Sequence, residues 1–111
     1  MKREIFNLYL ESISSRFDVP KDDIFTKTKR REIVDARHVL YYMCSERPMK
    51  ISYIQMYMKE SGYDIAHSSI IHGIRQVKLL VDSDKDYHRM ISEIEETIKN
   101  SDNTVKESIK N

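Results

Sequence analysis

The residues best suited to recognition chemistry are short polar side chains that open the segment HSSIIHGIRQV, residues 67–77. On a helix of 3.6 residues per turn, Ile70, Ile74 and Val77 form a stripe at the i, i+4, i+7 spacing of a core face. Hydrogen-bonding groups then occupy the N-terminal end and the opposite face: His67, Ser68, Ser69, His72 and Arg75. A helix that enters the DNA major groove end-on needs this layout, so the segment raises the question of DNA reading.

A second group of residues, suited to binding phosphate, precedes this segment. The net charge of the chain is only +1, but residues 27–50 contain seven basic and three acidic residues, whereas residues 82–111 contain eight acidic and five basic ones. DNA responds to a local patch rather than to the total charge. The cations expected to contact phosphates or the minor groove are Lys27, Lys29, Arg30, Arg31 and Lys50. Several of them precede a predicted helix N-terminus, where free backbone N–H groups also favour anions.

Each of these residues also has a purely structural interpretation. The basic stretch is equally compatible with a solvated turn. A serine at a helix start is commonly an N-cap, His72 on a helix surface is commonly solvated, and Arg75 can cover core residues with its aliphatic stem. The co-occurrence of a basic loop, a turn glycine and a polar helix tip favours DNA binding.

Composition bounds the fold and the chemistry. With 111 residues, two glycines and two prolines, the chain is expected to form one all-α domain. One cysteine excludes an intrachain disulfide, and the His and Cys residues lack zinc-ligand spacing, so we expect no metal and no cofactor. We also expect no catalysis, because no carboxylate pair or nucleophile–base arrangement stands out. No apolar run reaches the length of a membrane span. The single cysteine is compatible with the reducing environment of a cytoplasm.

The spacing of apolar residues predicts helices over about 2–16, 20–24 and 31–45, then over 52–60, from about 66 or 67, and from 83. Ser52 is the predicted N-cap of the fourth helix, and Ser83 with Asp86 is a predicted capping box for the last. Gly62 is expected at the turn between the fourth and fifth helices. We expect residues 1–99 to form the domain and residues 100–111 a polar, frayed tail.

Together, KTKRREIVDARHVLYYM and the later HSSIIHGIRQV resemble the C-terminal DNA-binding domain of the bacterial replication initiator DnaA family. The family's first motif is a basic loop leading into a helix with an Arg-Gln pair. Its second is Asp-His-(Ser/Thr)-(Ser/Thr)-Val-(Leu/Ile)-His at the start of the recognition helix. The resemblance extends from about Ile5 to about Ile98. It implies a small, Trp-repressor-like all-α domain with a helix-turn-helix that binds duplex DNA as a monomer.

The resemblance also implies roles for individual residues. Lys29 stands where a family arginine enters the minor groove, and Arg37 matches an arginine that contacts bases or backbone. His38 replaces the usual glutamine. The major-groove residues of the family correspond here to His67, Ser68 and Ser69, with Arg75 at a polar position further along.

Several departures from the family pattern concern base readout. Ala66 and Ile65 stand where the family has Asp and Arg, and Asp is an acceptor suited to cytosine amino groups. The turn before His67 is about one helical turn longer than usual. Lys29 lacks the bidentate geometry of arginine. We therefore expect a preferred DNA site that differs from the family's standard box.

The wider function is expected to be control of replication initiation or of transcription. The sequence has no G-x-x-x-x-G-K-[ST] phosphate loop, so we expect no ATP hydrolysis and a free-standing module without the family's ATPase domain. A replication protein or a full-length initiator is a candidate partner. The expected location is the bacterial cytoplasm or nucleoid, or the host cytoplasm if a phage encodes the chain. The alternative is a helical adaptor that binds another protein through its acidic last helix and an exposed Tyr41/Tyr42 pair.

Overall fold

The computed structural model describes the backbone of residues 2–110 and the side chains of residues 2–100. Six helices follow one another: α1 Lys2–Phe17, α2 Lys21–Ile24, α3 Arg31–Glu46, α4 Ile51–Glu60, α5 His67–Ser83 and α6 Lys85–Lys110. The prediction of an all-α fold is confirmed, since this described part contains no strand. The predicted tail falls mainly on residues 101–111, whose side chains lie outside the described part.

Helix α3 lies at the centre of the molecule and packs against both α1 and α5. Its apolar face is the one predicted from the sequence, with Ile33, Ala36, Val39, Leu40, Met43 and Cys44 buried. On α5, Ile70 and Val77 are fully buried and Ile74 is partly buried, so the predicted stripe faces the core. The arrangement fixes one face of α5 against α3 and leaves the other face exposed.

Gly62 ends α4 and redirects the chain toward α5. Its φ of +101° lies in the region that favours glycine. The Gly62 N–H donates to the Lys59 carbonyl (3.0 Å), and the Tyr63 N–H donates to the Met58 carbonyl (2.9 Å). This pair of bonds is a Schellman motif, as the position of the glycine predicts. Gln55 Nε2 donates to the Ile65 carbonyl (2.8 Å) and fixes the end of the same turn.

Two predicted helix caps are wrong. The N-cap of α4 is Lys50, whereas Ser52 lies inside the first turn of that helix. Before α6, the Asp84 carboxylate accepts the backbone N–H groups of Asp86 (2.9 Å) and Tyr87 (3.3 Å). Ser83 belongs to the last turn of α5 and donates its hydroxyl to the Leu79 carbonyl (2.7 Å). In both places the capping residue lies one or two positions away from the predicted serine.

The expected Tyr41/Tyr42 surface pair is also wrong, because Tyr41 is fully buried between α3 and α5. Some of the acidic side chains of α6 are used within the molecule. Glu93 pairs with Arg16 (3.0 Å), and the Glu95 carboxylate accepts the hydroxyl of Tyr9 (3.2 Å). Within the described residues, no helix is long and apolar enough to cross a membrane.

Candidate nucleic-acid interface

The polar tip predicted for the recognition helix lies at the exposed N-terminus of α5. Ala66 is the N-cap, with extended backbone angles and no side-chain hydrogen bond to the helix. The first three helical residues, His67, Ser68 and Ser69, are exposed. The serines are therefore not N-caps. Their hydroxyl groups stand beside the positive end of a 17-residue helix, where anions are favoured.

A shallow depression of about 360 Å³ joins this tip to α3. It brings together five of the predicted DNA-reading residues, Arg37 and His38 on α3 and Ser68, Ser69 and His72 on α5. Its remaining lining residues are Tyr41, Tyr63 and Ile65. A second depression continues along the α3–α5 junction past His38 and His72 to Arg31. The two helices thus share one continuous surface, which is polar near the tip of α5 and includes the apolar side chains of Leu79 and Leu80 further along.

Gly73 determines how closely α5 approaches α3. A Cβ atom at this position would lie 2.7 Å from Cδ2 of His38 and 3.0 Å from a ring carbon of Tyr41. Gly73 is buried within the helix, where glycine is intrinsically unfavourable. Gly73 had no predicted role, although a glycine inside a helical pattern is itself a signal of close packing.

The rings of His38 and His72 meet edge to face across this junction, with their centroids 6.0 Å apart. Burial, together with the nearby His72, lowers the pKa of His38 below its ordinary value. In the described part of the chain, no group of three or more His, Cys, Asp or Glu side chains converges as a metal ion would require.

The depressed pKa of His38 predicts a pH-dependent stability. Its pKa is about 6.5 in the unfolded chain and lower in the folded protein, so the unfolded state binds more protons below pH 6.5. Acidification from pH 7.5 toward 5.5 should lower the free energy of unfolding measured in urea. The His38→Gln protein should show a smaller decrease in the free energy of unfolding on acidification. The His88→Gln protein, changed at an exposed position on α6, should show the same decrease as the wild type. Identical pH profiles for wild type and His38→Gln would contradict the assignment.

The basic loop lies between α2 and α3 and is exposed at Lys27, Lys29 and Arg30. Arg30 Nη2 contacts the Glu32 carboxylate at 2.6 Å, and Arg31 at the start of α3 contacts the Asp35 carboxylate at 3.6 Å. The backbone N–H of Glu32 and the Arg30 side chain hold the pKa of the Glu32 carboxyl low. Exposed pairs of this kind contribute little to stability, so a phosphate can replace the carboxylates.

Two other predicted contact residues lie outside the depression, and one of its lining residues is almost entirely buried. Lys50 is exposed at the N-cap of α4, and Arg75 is exposed further along α5. Arg37, by contrast, is 5% exposed. Its Nε donates to the Ile24 carbonyl at 2.9 Å. The resemblance predicts that Arg37 contacts DNA, whereas the structure places its guanidinium inside the protein.

The family model for the bacterial dnaA protein helix-turn-helix matches residues 9–77. The chromosomal replication initiator protein DnaA of Bacteroides thetaiotaomicron is 27% identical over 93 residues, which are 81% of this chain and 18% of that protein. The DnaA proteins of Mycoplasma genitalium and Campylobacter curvus are 25% and 26% identical over 78% and 87% of this chain. The chain spans about a fifth of the length of these relatives.

Proposed function

The chain belongs to the family of the bacterial DnaA protein helix-turn-helix, and from this membership we propose that it binds double-stranded DNA with a sequence preference. In this proposal α5 enters the major groove with its N-terminal end, and the basic loop contacts phosphates and the minor groove. The observation that carries the proposal is the exposed polar tip of α5. It shares one depression with His38, and the basic loop leads directly into the N-terminus of α3, the helix that contains His38.

Base reading is assigned to His67 and Ser68, with Ser69, His38 and His72 beside them. Imidazole and hydroxyl groups at this position can hydrogen-bond to base edges in the major groove, where each base pair presents a distinct pattern. Ala66 has no side chain able to accept a hydrogen bond from a cytosine amino group. The preferred site is therefore proposed to differ from one read with an aspartate at that position.

Affinity is assigned mainly to the cations Lys27, Lys29, Arg30, Arg31 and Lys50. If four or five phosphates are neutralised, the logarithm of the binding constant should fall with the logarithm of salt concentration with a slope of roughly −4. The relatives are named as chromosomal replication initiators, so the proposed process is control of replication initiation, with transcription as a second possibility. Binding to the chromosome corresponds to a location in the cytoplasm or nucleoid.

Selection from random duplex oligonucleotides, followed by mobility-shift titration, tests this proposal. His67→Ala or Ser68→Ala should cost on the order of 1–3 kcal/mol at the selected site and much less at a scrambled one. His88→Ala and Ser92→Ala make the same chemical changes at exposed positions on α6 and should leave binding unchanged. Absence of enrichment would exclude sequence-specific reading. Absence of salt-sensitive binding would instead favour the adaptor function, in which a protein partner occupies the acidic surface of α6.

A further inference from the structure

Among the described residues, Arg37 is the charged residue that is buried. None of the ion pairs found in that part of the chain includes Arg37. Its Nε donates to the carbonyl of Ile24 (2.9 Å), and its Nη2 donates to the carbonyl of Thr26 (2.5 Å). The guanidinium carbon lies 4.5 Å from the centroid of the Tyr63 ring. A buried cation is stable here because carbonyl oxygens and an aromatic face replace water.

These three contacts connect separate parts of the proposed DNA surface. Ile24 is the last residue of α2, and Thr26 begins the basic loop that contains Lys29. Tyr63 lies in the turn between α4 and α5, shortly before the polar tip of the recognition helix. One side chain on α3 therefore contacts both the basic loop that precedes α3 and the turn that precedes α5.

We propose that Arg37 is a positioning residue, which sets the basic loop and the recognition-helix turn at a fixed separation through its contacts with Ile24, Thr26 and Tyr63. This inference rests on the proposed DNA-binding function. It differs from direct DNA contact, because turning the guanidinium outward to a phosphate would leave two carbonyls without the donors they now have. Arginine is required because a planar fork can donate in two directions while its face covers a ring, whereas a lysine ammonium cannot do both.

Affinity measurements on folded variants provide the first test. Arg37→Lys keeps the charge but loses the fork, and it should weaken binding to the selected duplex by about tenfold while far-ultraviolet circular dichroism remains that of the wild type. Tyr63→Phe keeps the ring face and should bind normally, whereas Tyr63→Leu removes the face and should weaken binding as Arg37→Lys does. Tyr63 is half-buried, so these two variants test the proposal even if substitutions of Arg37 do not fold.

A double-mutant cycle separates positioning from direct contact. If Arg37 acts partly through the loop, Arg37→Lys should have a smaller effect in a protein that already carries Lys29→Ala and Arg30→Ala, because two of the cations that it positions are absent. If Arg37 contacts a phosphate itself, the two effects should add. Additive effects would overturn the proposal, and so would a folded Arg37→Lys protein that binds as tightly as wild type.

The salt dependence of the same variants gives a second readout. Loss of one direct phosphate contact reduces the salt slope by about 1, whereas displacement of the whole loop should reduce it by about 2 or more. A reduction of about 1 for Tyr63→Leu or Arg37→Lys would contradict positioning. A wild-type protein that binds no duplex DNA would overturn the proposed function itself, which makes that failure distinguishable from failure of this inference alone.

Discussion

Replacement of Gly73 by valine is expected to lower the free energy of unfolding by about 3 kcal/mol, the upper part of the range for overpacking a well-packed interior. The reason is geometric. Even a Cβ atom at position 73 would lie 2.7 Å from the His38 ring and 3.0 Å from the ring of Tyr41. Tyr41 is fully buried and cannot move aside, so α5 must shift away from α3. Urea unfolding followed by circular dichroism measures the change.

Three comparisons make the Gly73 prediction specific to this contact. Gly73→Ala should cost less, because alanine gains about 1 kcal/mol in helix propensity over glycine while it introduces the same Cβ clash. Lys78→Val places valine at an exposed position of α5 and should have a small effect. Combining His38→Ala with Gly73→Ala removes the nearer obstruction and should recover part of the loss. Equal destabilisation by valine at positions 73 and 78 would show that interhelical packing is not responsible.

The second large effect is expected in DNA binding, from joint replacement of Lys29 and Arg30 by alanine. Loss of two phosphate contacts should weaken binding about 60-fold at 0.1 M salt. Each contact changes the logarithm of the binding constant by about 0.9 for a tenfold change in salt, so two contacts contribute about 1.8 between 1 M and 0.1 M. The salt slope should become shallower by about 1.8 for the same reason. Mobility-shift titrations at several salt concentrations measure both quantities, and both residues are exposed, so folding should be unaffected.

A charge-matched control distinguishes the loop from the net charge of the protein. Replacement of Lys85 and Arg89 by alanine also removes two exposed cations, but from α6, and should leave the salt slope unchanged. Glu32→Gln should act in the opposite direction and tighten binding, because it releases Arg30 from its 2.6 Å contact with the Glu32 carboxylate. Equal losses for the loop and α6 double variants would contradict the assignment of the loop.

The local elements of this protein could be predicted from its sequence. Apolar spacing predicted α1, α3 and α5 to within about two residues at the ends that were assigned. The turn at Gly62 could be predicted because glycine readily adopts a positive φ and because a short stretch of sequence contains the whole Schellman motif. The exposed positions of His67, Ser68, Ser69 and His72 likewise follow from helical periodicity, once the core stripe is known.

The features that the sequence left undetermined depend on residues far apart in the chain. Arg37 was expected near the surface, but it is buried because carbonyls 11 and 13 residues earlier and the ring of Tyr63 surround its guanidinium. Tyr41 was expected to be exposed, but Gly73 brings α5 against it. Helical periodicity gives each residue a direction around its own helix. Only the packing of α3 between α1 and α5 decides which of those directions lie inside the protein.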